Sequence, residues 1–154
     1  MRKVITNSAE ETFRLGKLFS EILKEKDILL LEGALGGGKT TFVKGIVHGF
    51  CAKAKVLSPS FTLLRCYKRK KLSIYHIDLY RIAKKDIFSF GIEDYLYAPG
   101  AITLVEWGQK LEDYLPLYIK VNFSFAAVNT RRIVFSFKGY DKKRISSLNR
   151  LLLA

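Results

Sequence analysis

Asp27-Ile28-Leu29-Leu30-Leu31-Glu32-Gly33-Ala34-Leu35-Gly36-Gly37-Gly38-Lys39-Thr40 is the stretch whose reading decides the fold. Its first six residues form a short apolar run bounded by acids, the pattern of a buried strand. Gly33 to Thr40 fit G-x-x-x-x-G-K-[ST], the phosphate-binding P-loop, and Thr41-Phe42-Val43-Lys44-Gly45-Ile46-Val47 opens a helix directly after it. The motif has meaning only as strand, loop and helix in that order, and all three are present. Each position has a physical task. The glycines let the backbone come close to a ligand. The amides of the loop and of the helix start point at an anion. Lys39 brings a point charge for the β- and γ-phosphates, and Thr40 brings a hydroxyl for Mg²⁺.

Outward from this core the chain alternates strand and helix signals. Residues 2–6 read as a strand. Ser8 and Glu11 form a capping box ahead of Phe13, Leu15, Leu18, Phe19, Ile22 and Leu23 at helical spacing, which predicts a helix over about 9–25. A helix over about 39–51 follows the loop. Residues 61–67 and 72–78 read as strands, joined by a basic hairpin turn at Lys68-Arg69-Lys70-Lys71. Short helices are expected over 84–97, strands at 101–106, 117–124 and 131–138, and a final helix capped by Asp141 with Ile145, Leu148, Leu151 and Leu152 on one face. The expected fold is α/β, a P-loop NTPase-like three-layer sandwich with a mixed, partly parallel sheet. The 154 residues form one domain on this reading.

A P-loop site needs an acid at the end of a neighbouring strand, to hold Mg²⁺ or orient water. Asp78 ends one apolar run and Glu106 another. Glu106, the more apolar-flanked, is the expected metal-site acid, with Asp78 as a second acid nearby. His76, on a strand, reads as a packed and hydrogen-bonded residue rather than a base. Cys51 and Cys66 are too few for a disulfide framework or a zinc site and read as reduced and partly buried.

Net charge is +13, which favours polyanionic partners. The small concentrations at Lys68–Lys71 and Lys142-Lys143-Arg144 read individually as a solvated turn and a solvated helix face. No apolar stretch is long enough for a membrane span, and the N-terminus lacks a signal-peptide core, so a cytoplasmic protein is expected.

Four segments together carry a resemblance: Leu31 to Phe42 with the P-loop, Ser58-Pro59-Ser60-Phe61-Thr62-Leu63, His76-Ile77-Asp78-Leu79-Tyr80-Arg81, and Val105-Glu106-Trp107. Ser8 to Thr12 and Gly91-Ile92-Glu93-Asp94-Tyr95 agree as well. In order and spacing the chain resembles the TsaE (YjeE) family, bacterial ATPases required for threonylcarbamoyladenosine modification of tRNA. The resemblance implies that Gly36, Gly37, Gly38, Lys39, Thr40 and Thr41 bind the phosphates of ATP, with Thr40 and Glu106 at Mg²⁺. It implies that Ser58 to Thr62 is a switch-type loop sensing the γ-phosphate through Ser60. Asp78, Tyr80 and Arg81 would belong to a motif tied to ATPase activity. Trp107 would lie near the nucleotide, as would Arg131 or Arg132. The implied partners are TsaB and TsaD, with tRNA reached through that pair. A monomer when free is expected.

Three positions depart from the family pattern. Ala34 stands where Asp is frequent, Ser60 where Thr is common, and Gly108 where Pro usually follows Glu-Trp; the last would loosen the loop holding Trp107. The rival functions are a GTPase, a small-molecule kinase, and a nucleic-acid-binding module that uses ATP as a ligand. Ala83-Lys84-Lys85-Asp86 lacks the Asn of a guanine-reading segment, and the chain is short for an acceptor pocket and lid. The third rival rests on the charge and predicts strongly salt-dependent RNA binding.

Overall fold

A computed structural model describes residues 1–151. The elements are β1 (Arg2–Thr6), α1 (Ala9–Ser20), β2 (Ile28–Glu32), α2 (Lys39–Phe50), β3 (Leu64–Arg69), β4 (Leu72–Asp78), α3 (Glu93–Leu96), β5 (Ala101–Glu106), β6 (Tyr118–Phe125), β7 (Arg131–Lys138) and α4 (Lys142–Leu151). Short 3₁₀ turns cover Lys84–Phe90 and Gly108–Leu111.

The seven strands make one sheet in the order β1-β7-β6-β2-β5-β4-β3. Its centre, β6-β2-β5-β4, is parallel, and an antiparallel strand or hairpin closes each side. Parallel strands need both faces covered. Accordingly every residue of β2 and of β5 is buried. Leu29 and Leu31 face α1 and α2 in a core that includes Phe19, Phe42, Ile46 and Phe135, and Leu148 of α4 joins the same layer. Ile28 and Leu30 face the other way, onto Ile87, Ile92, Leu96 and Leu111 from the short helices and turns. The expected mixed three-layer α/β arrangement is therefore the one observed.

α1 and α2 cross in close contact because glycines face each other. A Cβ on Gly16 would sit 2.2 Å from the Phe42 carbonyl oxygen, and one on Gly45 2.0 Å from that of Phe13. Phe19 and Phe42 fill the space beside this crossing, with ring centroids 5.8 Å apart.

Several boundaries differ from the sequence expectation. α1 stops at Ser20 rather than near 25. The Asp27 carboxylate accepts from the Lys24 amide at 2.8 Å, and Lys26 takes a left-handed φ of 69°, so the chain turns early into β2. Ile22 and Leu23 still reach the core, from a turn and not from a helix. β3 begins at Leu64 because Thr62 and Leu63 both donate to the Pro59 carbonyl, forming a turn in which Leu63 has φ 64°. Ser8 caps α1 by accepting from the Glu11 amide at 3.0 Å, but Glu11 reaches back to the Asn7 amide, 2.7 Å away.

At the far end, Asp141 accepts from the Arg144 amide at 2.7 Å, as expected for a cap. Arg144 is not part of a solvated face: its guanidinium pairs with buried Asp27 and donates to the Ile22 carbonyl at 2.8 Å. Tyr140 donates to the other Asp27 oxygen at 2.9 Å. Ile145 is half-buried and Leu148 buried; the expected positions of Leu152 and of the Leu151 side chain lie outside the described residues. The hairpin Lys68–Lys71 is exposed as expected. Cys51 and Cys66 are free thiols, the first half-buried and the second exposed, because Cys66 lies on the edge strand.

Candidate functional site

The loop after β2 leads straight into α2, as its sequence requires. Gly38 precedes the helix with φ 105°, a conformation that side-chain-bearing residues rarely adopt, and no described side chain caps the helix start. The first amides of α2 are therefore available to an anion. Gly33, with φ 130°, packs against β6 so closely that a Cβ would lie 2.3 Å from the Phe123 carbonyl oxygen.

Lys39 is only 4% exposed. Its Nζ folds back to donate to the carbonyls of Gly33 at 2.6 Å and Ala34 at 2.9 Å, and lies 4.5 Å from the centre of the Trp107 ring. Burial lowers the pKa of its ammonium, while the nearby carboxylates of Glu106 and Asp78 act in the opposite direction. Desolvated charge of this kind is costly and is strongly attracted to a polyanion.

The two strand-end acids lie side by side. Asp78 of β4 and Glu106 of β5 are register partners in a parallel pair, so the sheet delivers both to the P-loop edge. Their partners differ. Glu106 accepts from Thr40 Oγ1 at 2.8 Å on Oε1 and 2.9 Å on Oε2, and lies 2.9 Å from His76 Nε2. Asp78 accepts from Ser60 Oγ at 2.5 Å and Ser58 Oγ at 3.3 Å on Oδ2, and from the Tyr80 amide at 2.9 Å on Oδ1. One acid thus faces the P-loop helix, and the other ties down the 58–62 loop.

Lys39, Thr40, Thr41, Ser60, Asp78, Glu106 and Trp107 line one cleft of about 190 Å³ together with the loop glycines. Trp107 is held at φ 60° and stacks on Tyr80 at 5.0 Å. Gly108, the position where the family usually has Pro, packs tightly at this corner. It is buried, and a Cβ there would lie 2.7 Å from Leu30 Cα.

Across the P-loop lies a second cavity of about 270 Å³, which shares Gly36, Gly38 and Thr41 with the first and is otherwise walled by Asn7, Ser8, Ala9, Thr12, Asn129 and Arg131. Arg131 donates to the Gly36 carbonyl at 3.3 Å and stacks on Phe125 at 4.2 Å. Arg132 is not brought to either cavity. It is exposed and alternates with Arg131 to the opposite face of β7. The sequence reading places Arg131 near a nucleotide but does not foresee this wall: Ser8 and Thr12 enter it as helix-start residues and as part of a segment matching the family.

The cleft fits a metal bound together with phosphates. Thr40 and Glu106 offer hard oxygens that already converge, and Mg²⁺ is ordinarily held by few protein oxygens with phosphate and water completing its shell. Among the described residues no cluster of three or more His, Cys, Asp or Glu side chains could hold an ion without such help.

Comparison with known proteins agrees with this geometry. The family described as threonylcarbamoyl adenosine biosynthesis protein TsaE matches residues 6–133. The tRNA threonylcarbamoyladenosine biosynthesis protein TsaE of Rickettsia prowazekii is 42% identical over 128 residues, 81% of this chain and 88% of the relative. Its namesake in Bacillus subtilis is 36% identical over 135 residues, 87% and 84% of the two chains. The crystal structure of Bacillus subtilis YdiB superposes with a TM-score of 0.78 at 32% identity, over 96% of this chain and 93% of that one. A P-loop is common to many families, but the match along most of the chain is not, and the chain belongs to the TsaE family of threonylcarbamoyl adenosine biosynthesis proteins.

Proposed function

We propose that the chain is a Mg²⁺-dependent ATPase that works with the TsaB–TsaD pair in threonylcarbamoyladenosine modification of tRNA, resetting that complex by ATP hydrolysis. The observation that carries the reading is the meeting of Thr40, at the start of the P-loop helix, with Glu106, at the end of the adjacent strand, inside the cleft that also holds Lys39. On this reading Gly36, Gly37, Gly38 and Thr41 present amides to the phosphates. Lys39 exchanges its two carbonyl contacts for phosphate oxygens. The second cavity takes the nucleoside, with Arg131 at its rim.

Thr40 and Glu106 would hold Mg²⁺, which withdraws charge from the transferring phosphate. Ser60 leaves Asp78 to meet the γ-phosphate, and the freed Asp78 orients the attacking water. Among the described residues no arginine lines the phosphate cleft, so turnover by the isolated chain is slow and a partner completes the site. The 154 residues act as one catalytic domain, monomeric when free, in the cytoplasm. No described helix is long and apolar enough to cross a membrane.

Calorimetric titration with ATP and with GTP, each with Mg²⁺, followed by capture of purified TsaB and TsaD with and without ATP, tests the reading. Uptake of ATP in preference to GTP and nucleotide-dependent capture are expected. Folded protein that takes up no adenine nucleotide refutes it.

A further inference from the structure

His76 is fully buried, and packing alone does not account for where its ring points. It sits on β4 opposite Leu104 of β5, two residues before Glu106 on the parallel neighbour. Side chains two apart on a strand share a face. The ring therefore lies diagonally behind Glu106, and its Nε2 is 2.9 Å from Oε1. The other ring nitrogen, Nδ1, has no hydrogen-bond partner among the described residues. Those two facts assign the hydrogen. With the proton on Nε2, the ring donates to a carboxylate and leaves only a lone pair unpaired. With the proton on Nδ1, a lone pair would face the carboxylate and a buried N–H would be orphaned, which is rare.

Glu106 has little else to orient it. Its backbone is fixed between β2 and β4. Among the described residues, however, its side chain hydrogen-bonds to just two groups: Thr40, which would itself hold the metal, and His76. Thr40 touches both carboxylate oxygens almost equally and so does not choose between them. His76 touches Oε1 alone and leaves Oε2 the freer oxygen.

We propose that His76 is the positioning residue of this site: its Nε2–H fixes the rotation of the Glu106 carboxylate and thereby how strongly the Thr40–Glu106 pair binds Mg²⁺ beside a nucleotide. The proposal rests on the cleft being an Mg²⁺–nucleotide site. Groups that orient a metal ligand from behind typically change metal affinity about 10- to 100-fold when removed.

The test compares His76→Gln, His76→Asn and His76→Leu in the full chain. A Gln amide can place an N–H where Nε2 stands; an Asn amide stops short at the place of Nδ1. For each variant, the dissociation constant of ATP is measured in EDTA and in excess Mg²⁺, and the ratio gives the factor by which the metal tightens binding. Thermal melts establish folding. The EDTA constants are expected to stay within about threefold of wild type. The metal factor should fall about tenfold, or vanish, in Asn and Leu and stay within about threefold in Gln. In a Glu106→Ala background, His76→Leu should change the factor less than about twofold, because the histidine then has nothing to orient.

A wild-type factor in Asn and Leu, a Gln variant as impaired as Leu, or an additive loss in the Glu106→Ala background each overturns the proposal. If Leu does not fold, the Gln–Asn pair decides. Failure of the underlying reading shows first and separately, as wild-type protein that binds no ATP or gains nothing from Mg²⁺, and it takes the proposal with it.

Discussion

Gly45→Ala sets two physical effects against each other, and the structure decides the sign. Alanine is favoured over glycine inside a helix by about 1 kcal/mol, so propensity alone predicts a more stable protein. The structure predicts the reverse. An added Cβ at Gly45 would lie 2.0 Å from the Phe13 carbonyl oxygen, 2.9 Å from the Lys17 nitrogen and 3.0 Å from Gly16 Cα. All three are backbone atoms of α1 and cannot swing aside. A carbon resting on a carbonyl oxygen needs about 3.3 Å, so the helices must part by roughly 1.3 Å. Overpacking of this kind costs about 1–3 kcal/mol and occasionally more. Because the obstacles are rigid backbone, the upper part of that range applies, about 2–3 kcal/mol, and net of propensity a loss of about 1–2 kcal/mol is expected, or roughly 2–8 °C in melting temperature for a chain of this size. The consequence reaches the site, because α2 starts with Lys39 and Thr40 while α1 starts beside the second cavity with Ser8 and Thr12. A 1 Å misplacement of groups that must act together can cost up to about 100-fold in rate, so ATP turnover in the full complex should fall, by as much as that factor. Differential scanning calorimetry and steady-state kinetics check both parts. A Gly45→Ala protein that melts at or above wild type would refute the close-crossing argument, since propensity would then have won.

The remaining expectations concern the charged groups. Lys39→Ala should abolish measurable ATP binding while leaving a folded protein, since the lost carbonyl contacts lie at a loop; circular dichroism and calorimetry read the two outcomes. Glu106→Ala should reduce Mg²⁺-dependent turnover in the full complex by at least about tenfold and nucleotide affinity in EDTA by much less, as steady-state kinetics and titration will show. Normal turnover would remove Glu106 from the metal site. Tyr140→Phe tests a pH dependence. Burial and the neighbouring Asp27 carboxylate raise the Tyr140 phenol above its ordinary range. A pKa raised on folding stabilises the protein below the unfolded value, about 10, and that contribution is lost as pH rises beyond it. Wild-type urea midpoints should therefore fall more steeply above pH about 10 than those of Tyr140→Phe, and parallel curves would contradict the buried Tyr140–Asp27 contact.

What could be read in the sequence, and what could not, follows from the range of the interactions. The P-loop is legible because each of its residues acts through its own backbone or side chain within a dozen positions, and a glycine, a lysine and a threonine in that spacing have few other uses. Asp78 and Glu106 are legible as strand-end acids because apolar runs stop at them, and register then makes them neighbours. The end of α1 is not legible. Ile22 and Leu23 keep helical spacing, and what stops the helix is Asp27, whose carboxylate is claimed by Arg144 and Tyr140 from the opposite end of the chain. The second cavity has the same character. Asn7 and Ser8 meet Asn129 and Arg131 only because β1 pairs with β7, so no local pattern announces them.

The partition of labour between the two acids is the least local feature of all. As strings, the two strand ends look alike, each an apolar run closed by a carboxylate. They diverge because Glu106 projects toward the helix that starts at Lys39, whereas Asp78 projects toward a turn created by Pro59 accepting two amides and Leu63 taking a left-handed backbone. That turn lies outside both strands, and its conformation sets which serine reaches which oxygen. It follows that substitutions which disfavour the left-handed backbone of that turn, such as Leu63→Val, should leave Glu106 and Thr40 in place and loosen Ser60 from Asp78. ATP affinity in such a protein should change little in EDTA, whereas the ability to tell ATP from ADP, which the proposed function assigns to Ser60, should fall. Equal loss of affinity for both nucleotides would show that the loop supports the whole cleft rather than its γ-phosphate end.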